Sequence, residues 1–214
     1  MDFRFYRIPP LLRWLAPALK WRIASVPEEK VVYLTFDDGP VPGPTDFVLA
    51  ELAKRQAKAT FFCIGDNIRK HPETFRRVIS EGHRVGNHTF NHISAWSNQS
   101  SYFINNVEEC QHLLPNNDFP LFRPPFGKIT PGLSRMLRVM GYTIIMWDLL
   151  SYDYDKQINT GRALQQLKRL TRPGSIVVFH DSHKAMPQLK QMLPPYLEFL
   201  SASGYRMAAI PDAH

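Results

Sequence analysis

Seven short apolar runs that alternate with helical patterns constrain the fold of this 214-residue chain more than any other feature. Each run is almost continuously apolar and rich in β-branched or aromatic residues, which is typical of parallel strands buried on both faces. The predicted strands are 30–36, 58–65, 83–88, 120–123, 142–148, 174–181 and 205–210. The helices predicted between them are near 45–57, 66–82, 99–114, 131–142, 158–171 and 186–203.

Polar residues gather at the carboxyl ends of these predicted strands, and their placement favours a barrel over an open doubly wound sheet. No glycine-rich nucleotide-binding motif follows any of the strands. In a (β/α) barrel all strand ends converge on one face, which is where such folds carry their chemistry. The polar strand ends are Asp37, Asp38, His88, His92, Arg123, Trp147, Asp148, His180 and Asp181. We therefore expect an α/β barrel with fewer than eight strands.

Composition indicates a single globular domain with a sizeable core. The chain is 44% hydrophobic and 21% charged, which is ordinary for a globular domain. Residues 30–214 are predicted to form that domain, and residues 1–29 an extension. The net charge is +7, but no Lys/Arg cluster has the density of a nucleic-acid-binding arm, so nucleic acid is not an expected partner. Cys63 and Cys110 are expected to be small buried hydrophobic residues without a disulfide.

The N-terminal extension mixes cations, aromatic residues and leucines. A secretory signal needs about 7–15 uninterrupted apolar residues, whereas Pro9, Pro10, Arg13 and Pro17 interrupt every run here. No stretch reaches the ~20 apolar residues of a membrane span. The extension therefore either packs on the domain or rests on a membrane surface. The prolines disfavour a continuous amphipathic helix and so favour packing, and a cytoplasmic location is the expectation without an export signal.

A candidate metal site comes from two histidines and a pair of adjacent acids. His88 and His92 are four positions apart in the stretch HTFNH, and on a helical turn two such side chains share one face. Two imidazoles and a carboxylate, with one position open for water, are a common site for a catalytic divalent cation. A loop rich in His and Asn by chance is the alternative for this pair alone. The acids Asp37 and Asp38 favour the metal site, because a cation bound by Asp38 relieves their repulsion and leaves Asp37 to act as a base.

Five motifs then resemble those of the polysaccharide deacetylases, the enzymes of the NodB homology domain and of carbohydrate esterase family four. The resemblance covers about residues 30–210. In chain order the motifs are TFDDGP, HTFNH, RPPFG, WDLLSYDY and VVFHD. The resemblance implies a distorted (β/α) barrel with about seven parallel strands. It also implies a metal-dependent hydrolase that removes acetyl groups, usually N-acetyl groups, from sugars.

The first three motifs imply the metal ligands and the catalytic base. By resemblance, Asp37 is the base, and Asp38, His88 and His92 hold the metal. The arginine of RPPFG pairs with the base in the family, which implies a contact between Arg123 and Asp37. The cation is expected to be zinc, with cobalt and nickel as alternatives.

The remaining family roles concern proton donation and the substrate pocket. The resemblance assigns the general acid to His180, held by Asp153, and an oxyanion-binding backbone N–H to Phe126. Asp181 is expected to be structural. Pro124, Trp147 and Tyr154 are expected to line the substrate pocket.

The fourth motif departs from the family pattern Asp-x-x-Asp-Trp. Leu150 replaces the first acid and Tyr154 the tryptophan, while the second acid remains as Asp153. The departure puts in doubt a polar contact to the substrate but no step of the chemistry.

Together these features predict a metal-dependent deacetylase that acts on an acetylated sugar or glycan and releases acetate. Two alternatives remain at this point. One is a hydrolase of a non-sugar amide or an O-acetyl ester on the same scaffold, and the other is a carbohydrate-binding domain without catalysis. The presence of Asp37, Arg123 and His180 argues against the second. No feature of the sequence specifies an oligomeric state.

Overall fold

A computed structural model describes residues 4–24, 29–116 and 118–212, and within these ranges the chain forms eight strands and eight α-helices. The strands are β1 (Val31–Asp37), β2 (Thr60–Cys63), β3 (Arg84–Asn87), β4 (Leu121–Phe122), β5 (Thr143–Ile144), β6 (Leu149–Leu150), β7 (Ile176–His180) and β8 (Arg206–Met207). The helices are α1 (Pro10–Leu15), α2 (Pro44–Ala53), α3 (Gly65–Lys70), α4 (Pro72–Ser80), α5 (Ser100–Gln111), α6 (Pro131–Val139), α7 (Thr160–Leu170) and α8 (Met186–Ala202).

Seven of the strands form a parallel sheet that curls into a distorted barrel. The strand order is β5-β4-β3-β2-β1-β7-β6, and β8 pairs separately with the start of β1. The edge strands β5 and β6 are consecutive in the chain, and only residues 145–148 join them. Such a link spans at most ~18 Å, whereas the edges of a flat seven-stranded sheet lie ~29 Å apart. The sheet must therefore curl, which confirms the predicted α/β barrel fold.

The register of the central strands brings the polar strand ends into line. All seven residues of β1 are buried, as a strand covered on both faces requires. Asp37, the last of them, lies opposite His180 of β7 and Phe62 of β2. On the far side of β2, Asn87 pairs with Phe122, the residue before Arg123. The segments that follow β1, β3, β4 and β7 thus begin at the same edge of the sheet.

Three predicted elements differ in the structure. The single helix over 66–82 is two helices, because Pro72 has no N–H to continue α3 and instead begins α4. The strand predicted over 142–148 shrinks to Thr143–Ile144, since the carbonyl groups of Ile145 and Met146 accept hydrogen bonds from the Arg123 side chain. The short β6 that follows was not predicted.

The N-terminal segment lies across the gap between the two edge strands. Beside β5, the Lys20 N–H donates to the Ile144 carbonyl over 2.9 Å, and the Lys20 carbonyl accepts from the Met146 N–H over 2.8 Å. Beside β6, the Leu150 N–H donates to the Tyr6 carbonyl over 3.0 Å. These bonds satisfy backbone groups that two open edges would expose. The division into an extension over 1–29 and a domain over 30–214 stays a prediction, and residues 1–3, 25–28, 117 and 213–214 lie outside the described ranges.

Two further expectations concern the cysteines and membrane-spanning segments. Cys63 and Cys110 are both buried and have free thiols, as predicted. Among the helices in the described ranges, none combines the length and the apolar composition that crossing a bilayer requires.

Candidate active site

The strand ends surround one cleft of about 620 Å³. Nine of the eleven residues that the sequence analysis assigned to the site line it, and the other two, Arg123 and Asp153, are fully buried. The nine are Asp37, Asp38, His88, His92, Pro124, Phe126, Trp147, Tyr154 and His180. Leu150, which replaces the first acid of the family's fourth motif, also lines the cleft and places an apolar side chain there.

Asp38, His88 and His92 form a cluster that fits a metal ion. One ligand atom from each lies within 4.8 Å of the others. The Asp38 Oδ1 atom is 3.4 Å from His92 Nε2 and 3.8 Å from His88 Nε2. His88 Nδ1 lies 2.8 Å from the Arg123 carbonyl oxygen, which can only accept, so Nδ1 carries the proton. The lone pair of His88 is therefore on Nε2, the atom that faces Asp38.

The two histidines reach each other through a loop and not through the predicted helical turn, which was wrong. Thr89 and His92 have positive φ angles of 62° and 53°, so the chain cannot continue as a right-handed helix. The Thr89 N–H donates to Asn87 Oδ1 over 2.9 Å, and the Thr89 hydroxyl accepts from the Ile93 N–H over 3.2 Å. These local bonds hold the turn and leave the imidazole centroids 5.1 Å apart.

Burial keeps both imidazoles neutral. It lowers the pKa of His88 to about 3, and the neighbouring His92 adds to that effect. Burial also lowers the pKa of His92 below its usual value, although Asp38 opposes this. Because only the neutral imidazole has a lone pair to offer, this cluster is prepared to bind a cation.

Asp37 is held by a buried arginine. The Arg123 Nη1 atom donates to Asp37 Oδ1 over 2.7 Å and to the Thr35 hydroxyl over 2.6 Å. The remaining Arg123 donors bond to the Ile145 and Met146 carbonyl groups, and the guanidinium carbon lies 4.1 Å from the centroid of the Phe62 ring. Bonds on every side fix the guanidinium, which in turn fixes the carboxylate.

A tight turn after β1 separates the two acids and aims them into the cleft. Asp38 has a φ angle of 82°. Gly39 then passes so close to Asp181 that a Cβ atom on Gly39 would lie 2.0 Å from Asp181 Oδ2. Asp181 accepts hydrogen bonds from the Gly39 N–H over 3.0 Å and from the Thr45 hydroxyl over 2.6 Å. Burial raises the pKa of Asp181 to about 8. Its contacts in the described chain are those of a residue that holds the turn.

His180 is paired with a buried carboxylate. Its Nδ1–H donates to Asp153 Oδ1 over 2.7 Å, and its backbone N–H donates to Asp153 Oδ2 over 2.8 Å. Burial alone would lower the pKa of His180, but the charge and hydrogen bond of Asp153 outweigh burial and raise it to about 9. The imidazole is thus protonated at neutral pH. The ring of Tyr154 packs edge-on against it, with centroids 4.9 Å apart.

Aromatic side chains form two walls of the cleft. Phe126 is 61% exposed, and its ring centroid is 4.6 Å from that of His92. Its backbone φ of 60° follows from the tight turn through RPPFG. Gly127 lies against Trp147, where a Cβ atom would come within 2.4 Å of the indole ring.

Three residues that support the site were missed by the sequence analysis. Thr35 bonds to Arg123, and its position two residues before Asp37 on β1, on the same face of the strand, was an available signal. The Ser151 hydroxyl donates to Asp153 Oδ1 over 2.8 Å. Lys184 lies at the cleft with its Nζ 5.6 Å from the Tyr154 ring centroid, and no sequence motif pointed to it.

Comparison with known proteins gives a consistent family match. A model of the family described as polysaccharide deacetylase matches residues 24–145. A peptidoglycan-N-acetylglucosamine deacetylase of Bacillus cereus is 30% identical over 198 residues, which is 90% of this chain and 91% of that protein. These matches confirm the resemblance inferred from the motifs.

Two solved structures have the same fold. The peptidoglycan deacetylase PdaC of Bacillus subtilis superposes with a TM-score of 0.76 at 27% identity, covering 86% of this chain and 90% of that one. A pseudoenzyme of carbohydrate esterase family four from Bacillus anthracis superposes with a TM-score of 0.77 at 23% identity, covering 89% of this chain and 66% of that one. The second likeness concerns the fold alone.

Proposed function

The chain belongs to the polysaccharide deacetylase family, and from that premise we propose that it hydrolyses the acetamido group of an acetylated sugar and releases acetate. One observation carries the proposal. A cation-binding cluster, an arginine-held carboxylate and a protonated histidine all face a single cleft of about 620 Å³. These three groups suit the hydrolysis of an amide, because in that reaction water must be activated, the oxyanion held and the amine protonated.

Asp38, His88 and His92 would hold the metal in this proposal. One carboxylate and two neutral imidazoles suit zinc, with cobalt and nickel as alternatives. A divalent cation there supplies Lewis-acid polarisation of the acetyl carbonyl and makes water more acidic. The Arg123 carbonyl, through its bond with His88 Nδ1, keeps the ligand nitrogen Nε2 directed at the site.

Asp37 is the proton acceptor for the attacking water. Asp37 directly precedes the proposed ligand Asp38 in the chain and is only 4% exposed. Arg123 holds one carboxylate oxygen at 2.7 Å, so the base keeps one orientation while the substrate binds. A positioned general base of this kind typically contributes ~10²–10⁴-fold to the rate.

His180 donates the proton to the leaving nitrogen. Its Nδ1–H is bonded to Asp153, which leaves Nε2–H to point away from that carboxylate. As the water oxygen bonds to the acetyl carbon and the carbon–nitrogen bond breaks, the nitrogen takes this proton and leaves as an amine. The backbone N–H of Phe126 is the proposed oxyanion donor, a kind of contact whose loss costs ~10²–10³ in rate.

The substrate is proposed to be an acetylated glycan. The Bacillus cereus relative is named as a peptidoglycan-N-acetylglucosamine deacetylase, PdaC as a peptidoglycan-N-acetylmuramic acid deacetylase, and another relative, from Azorhizobium caulinodans, as a chitooligosaccharide deacetylase. Phe126 and Trp147 offer flat apolar surface at the cleft, which suits the faces of a sugar ring.

Acetate release from a substrate panel tests the proposal. We expect N-acetylated chitooligosaccharides or peptidoglycan fragments to yield acetate with zinc-reloaded protein and none with metal-stripped protein. A simple O-acetyl ester and a non-sugar acetanilide serve as comparison substrates. Release from neither glycan by the reloaded, folded protein would contradict the proposal.

A further inference from the structure

The N-terminal helix exposes an apolar face that nothing in the described chain covers. Of the fourteen large hydrophobic side chains exposed in the described ranges, five lie within residues 5–15. They are Phe5 (69% exposed), Leu11 (62%), Leu12 (48%), Trp14 (75%) and Leu15 (62%). Helix α1 buries none of its six residues. Exposed apolar side chains scattered singly need no explanation, but a group as dense as this one marks an interaction surface.

The four apolar residues of α1 share one side of the helix. At about 100° per residue, Leu11, Leu12, Trp14 and Leu15 occupy an arc of roughly 160°. Arg13 lies at the middle of the opposite side. There its Nη1 atom is 3.6 Å from Oδ1 of the buried Asp148. The helix therefore packs with its cation inward and its apolar face outward, the reverse of a helix that belongs to a core.

An arginine cluster holds α1 in this orientation. Asp148 is fully buried, and Arg7 and Arg22 approach its two carboxylate oxygens at 3.4 and 3.7 Å. The Ser175 hydroxyl donates to the same carboxylate over 2.7 Å. Because these contacts come from both sides of α1 in the sequence, the helix cannot turn its apolar face inward without breaking them.

The charge of the segment around this apolar face favours an anionic surface over a second copy of the chain as its partner. Residues 4–24 carry five cations, Arg4, Arg7, Arg13, Lys20 and Arg22, and no acidic residue. Asp148 and Asp155 neutralise only part of this charge. A second copy of the chain placed on the same face would bring two such basic segments together, and like charges disfavour that contact. The surface of an anionic bilayer is complementary both to the apolar face and to the net positive charge that the segment keeps.

We propose that the apolar face of α1, together with Phe5, docks on the surface of a lipid bilayer that contains anionic phospholipids. Trp14 and the leucines enter the boundary between headgroups and acyl chains, with α1 parallel to the membrane plane, and the net positive charge of residues 4–24 attracts the anionic headgroups without direct contact from the inward-facing arginines. The docked segment adjoins the cleft. The Tyr152 hydroxyl donates to the Phe5 carbonyl over 3.3 Å, and Tyr152 is in ring contact with Tyr154 of the cleft wall. The proposal concerns a surface and does not depend on the proposed deacetylation.

Vesicle co-sedimentation of the full chain tests this docking. The probes are large vesicles of phosphatidylcholine alone and of phosphatidylcholine with one-third phosphatidylglycerol. We expect the wild-type chain to bind the anionic vesicles, and the binding to weaken as salt is raised. Trp14→Ser/Leu15→Ser should lower the partition coefficient by at least about tenfold, whereas Trp14→Phe should retain most of it.

The matched control removes exposed apolar side chains elsewhere. Met136 and Val139 of α6 are 47% and 82% exposed, and Met136→Ser/Val139→Ser should bind vesicles as the wild type does. Thermal unfolding of each variant shows that it is folded. Wild-type protein that remains in the supernatant at low salt would overturn the proposal, as would equal binding by the Trp14→Ser/Leu15→Ser variant. A dimer that this variant abolishes, without vesicle binding by the wild type, would assign the face to a second copy instead.

Discussion

At the scale of single residues, the most consequential contact is the one between Asp153 and His180. Three observations make the imidazole an acid at neutral pH: full burial of Asp153, a 2.7 Å bond to Nδ1, and a pKa raised to about 9. The unperturbed value is 6.5, so the folded state favours the protonated form. The stabilisation from this pair is complete below about pH 6.5 and is lost as the pH rises towards about 9.

The same pair sets the alkaline limb of the pH–rate profile of the proposed reaction. Because His180 must be protonated to act, kcat/KM for acetate release should fall above about pH 9. Asp153→Asn removes the charge that opposes burial, so the alkaline limb should move to lower pH. Ser151→Ala is the matched control, since it removes a neutral neighbour of Asp153 and keeps the carboxylate. An alkaline limb at the same pH in Asp153→Asn would contradict the acid assignment.

Residue types at strand ends were largely predictable, and supporting partners were not. Asp37, Asp38 and His180 stand out because a carboxylate or imidazole directly after an apolar run is costly unless it has a partner, and His88 and His92 stand out because they are four positions apart. Partners such as the Met146 carbonyl carry no side-chain signal, because any residue can supply a backbone acceptor. The link of Arg123 to Asp37 came from the family resemblance and not from spacing.

At the scale of elements, the turn between β1 and α2 determines where the two acids point. The chain leaves β1 at Asp37, turns through Asp38 with a positive φ, and passes Gly39 against Asp181. The Val41 N–H donates to the Thr45 hydroxyl over 2.8 Å, which ties the turn to the first residues of α2. Glycine is needed here for close approach and not for an unusual dihedral angle.

Replacing that glycine should disturb both stability and site geometry. In Gly39→Ala the new methyl would lie 2.0 Å from Asp181 Oδ2, so the turn or the carboxylate must move. We expect a loss on the order of 1–3 kcal/mol in the free energy of unfolding and a lower kcat. Urea unfolding and acetate release measure the two effects.

The control for this substitution is a glycine with free space around it. No heavy atom lies within 4 Å of a Cβ built on Gly132 in α6, and Gly132→Ala should be neutral or stabilising by ~0.5 kcal/mol. Gly39→Ala with wild-type stability and turnover would show that the turn accommodates a side chain.

Elements with strong periodicity were predicted well, and elements broken by long-range contacts were not. Strand β1 and helix α8 match their expected ranges because local pattern and burial agree. The region after Thr143 contains an uninterrupted apolar run, yet it changes strand partner because the Arg123 side chain, distant in sequence, binds its carbonyl groups. The histidine loop likewise depends on Asn87 and Thr89 side chains, whose turn-forming bonds override an i, i+4 spacing.

At the scale of the whole molecule, the barrel is incomplete without the N-terminal segment. The seven strands curl so far that four residues are enough to connect β5 to β6. Residues 6–8 and 20 form backbone hydrogen bonds along the gap that remains between these two strands. The buried Asp148 anchors this segment through Arg7, Arg13 and Arg22. The sequence predicted that the segment packs on the domain. It did not predict that the arginines of the segment, and not its apolar residues, make the contact.

Removing the Asp148 carboxylate should loosen the packing of the N-terminal segment along the gap between β5 and β6. Asp148→Asn leaves three partly exposed arginines near a neutral side chain, and we expect a loss of about 1–3 kcal/mol in the free energy of unfolding with faster tryptic cleavage within residues 4–24. Asp155→Asn removes only the half-exposed partner of Arg4 and should cost less than about 1 kcal/mol. Equal cleavage rates for the two variants would mean that Asp148 is not the anchor.

The proposed catalysis depends on a cation held by Asp38, His88 and His92 beside a separate base, Asp37. Acetate release per bound zinc, measured on the same preparations of wild-type and Asp37→Asn protein, tests this most directly. We expect about one zinc per chain in both proteins and a rate ~10²–10⁴-fold lower in the variant. Undiminished turnover in folded Asp37→Asn, or full turnover in metal-stripped wild-type protein, would contradict it.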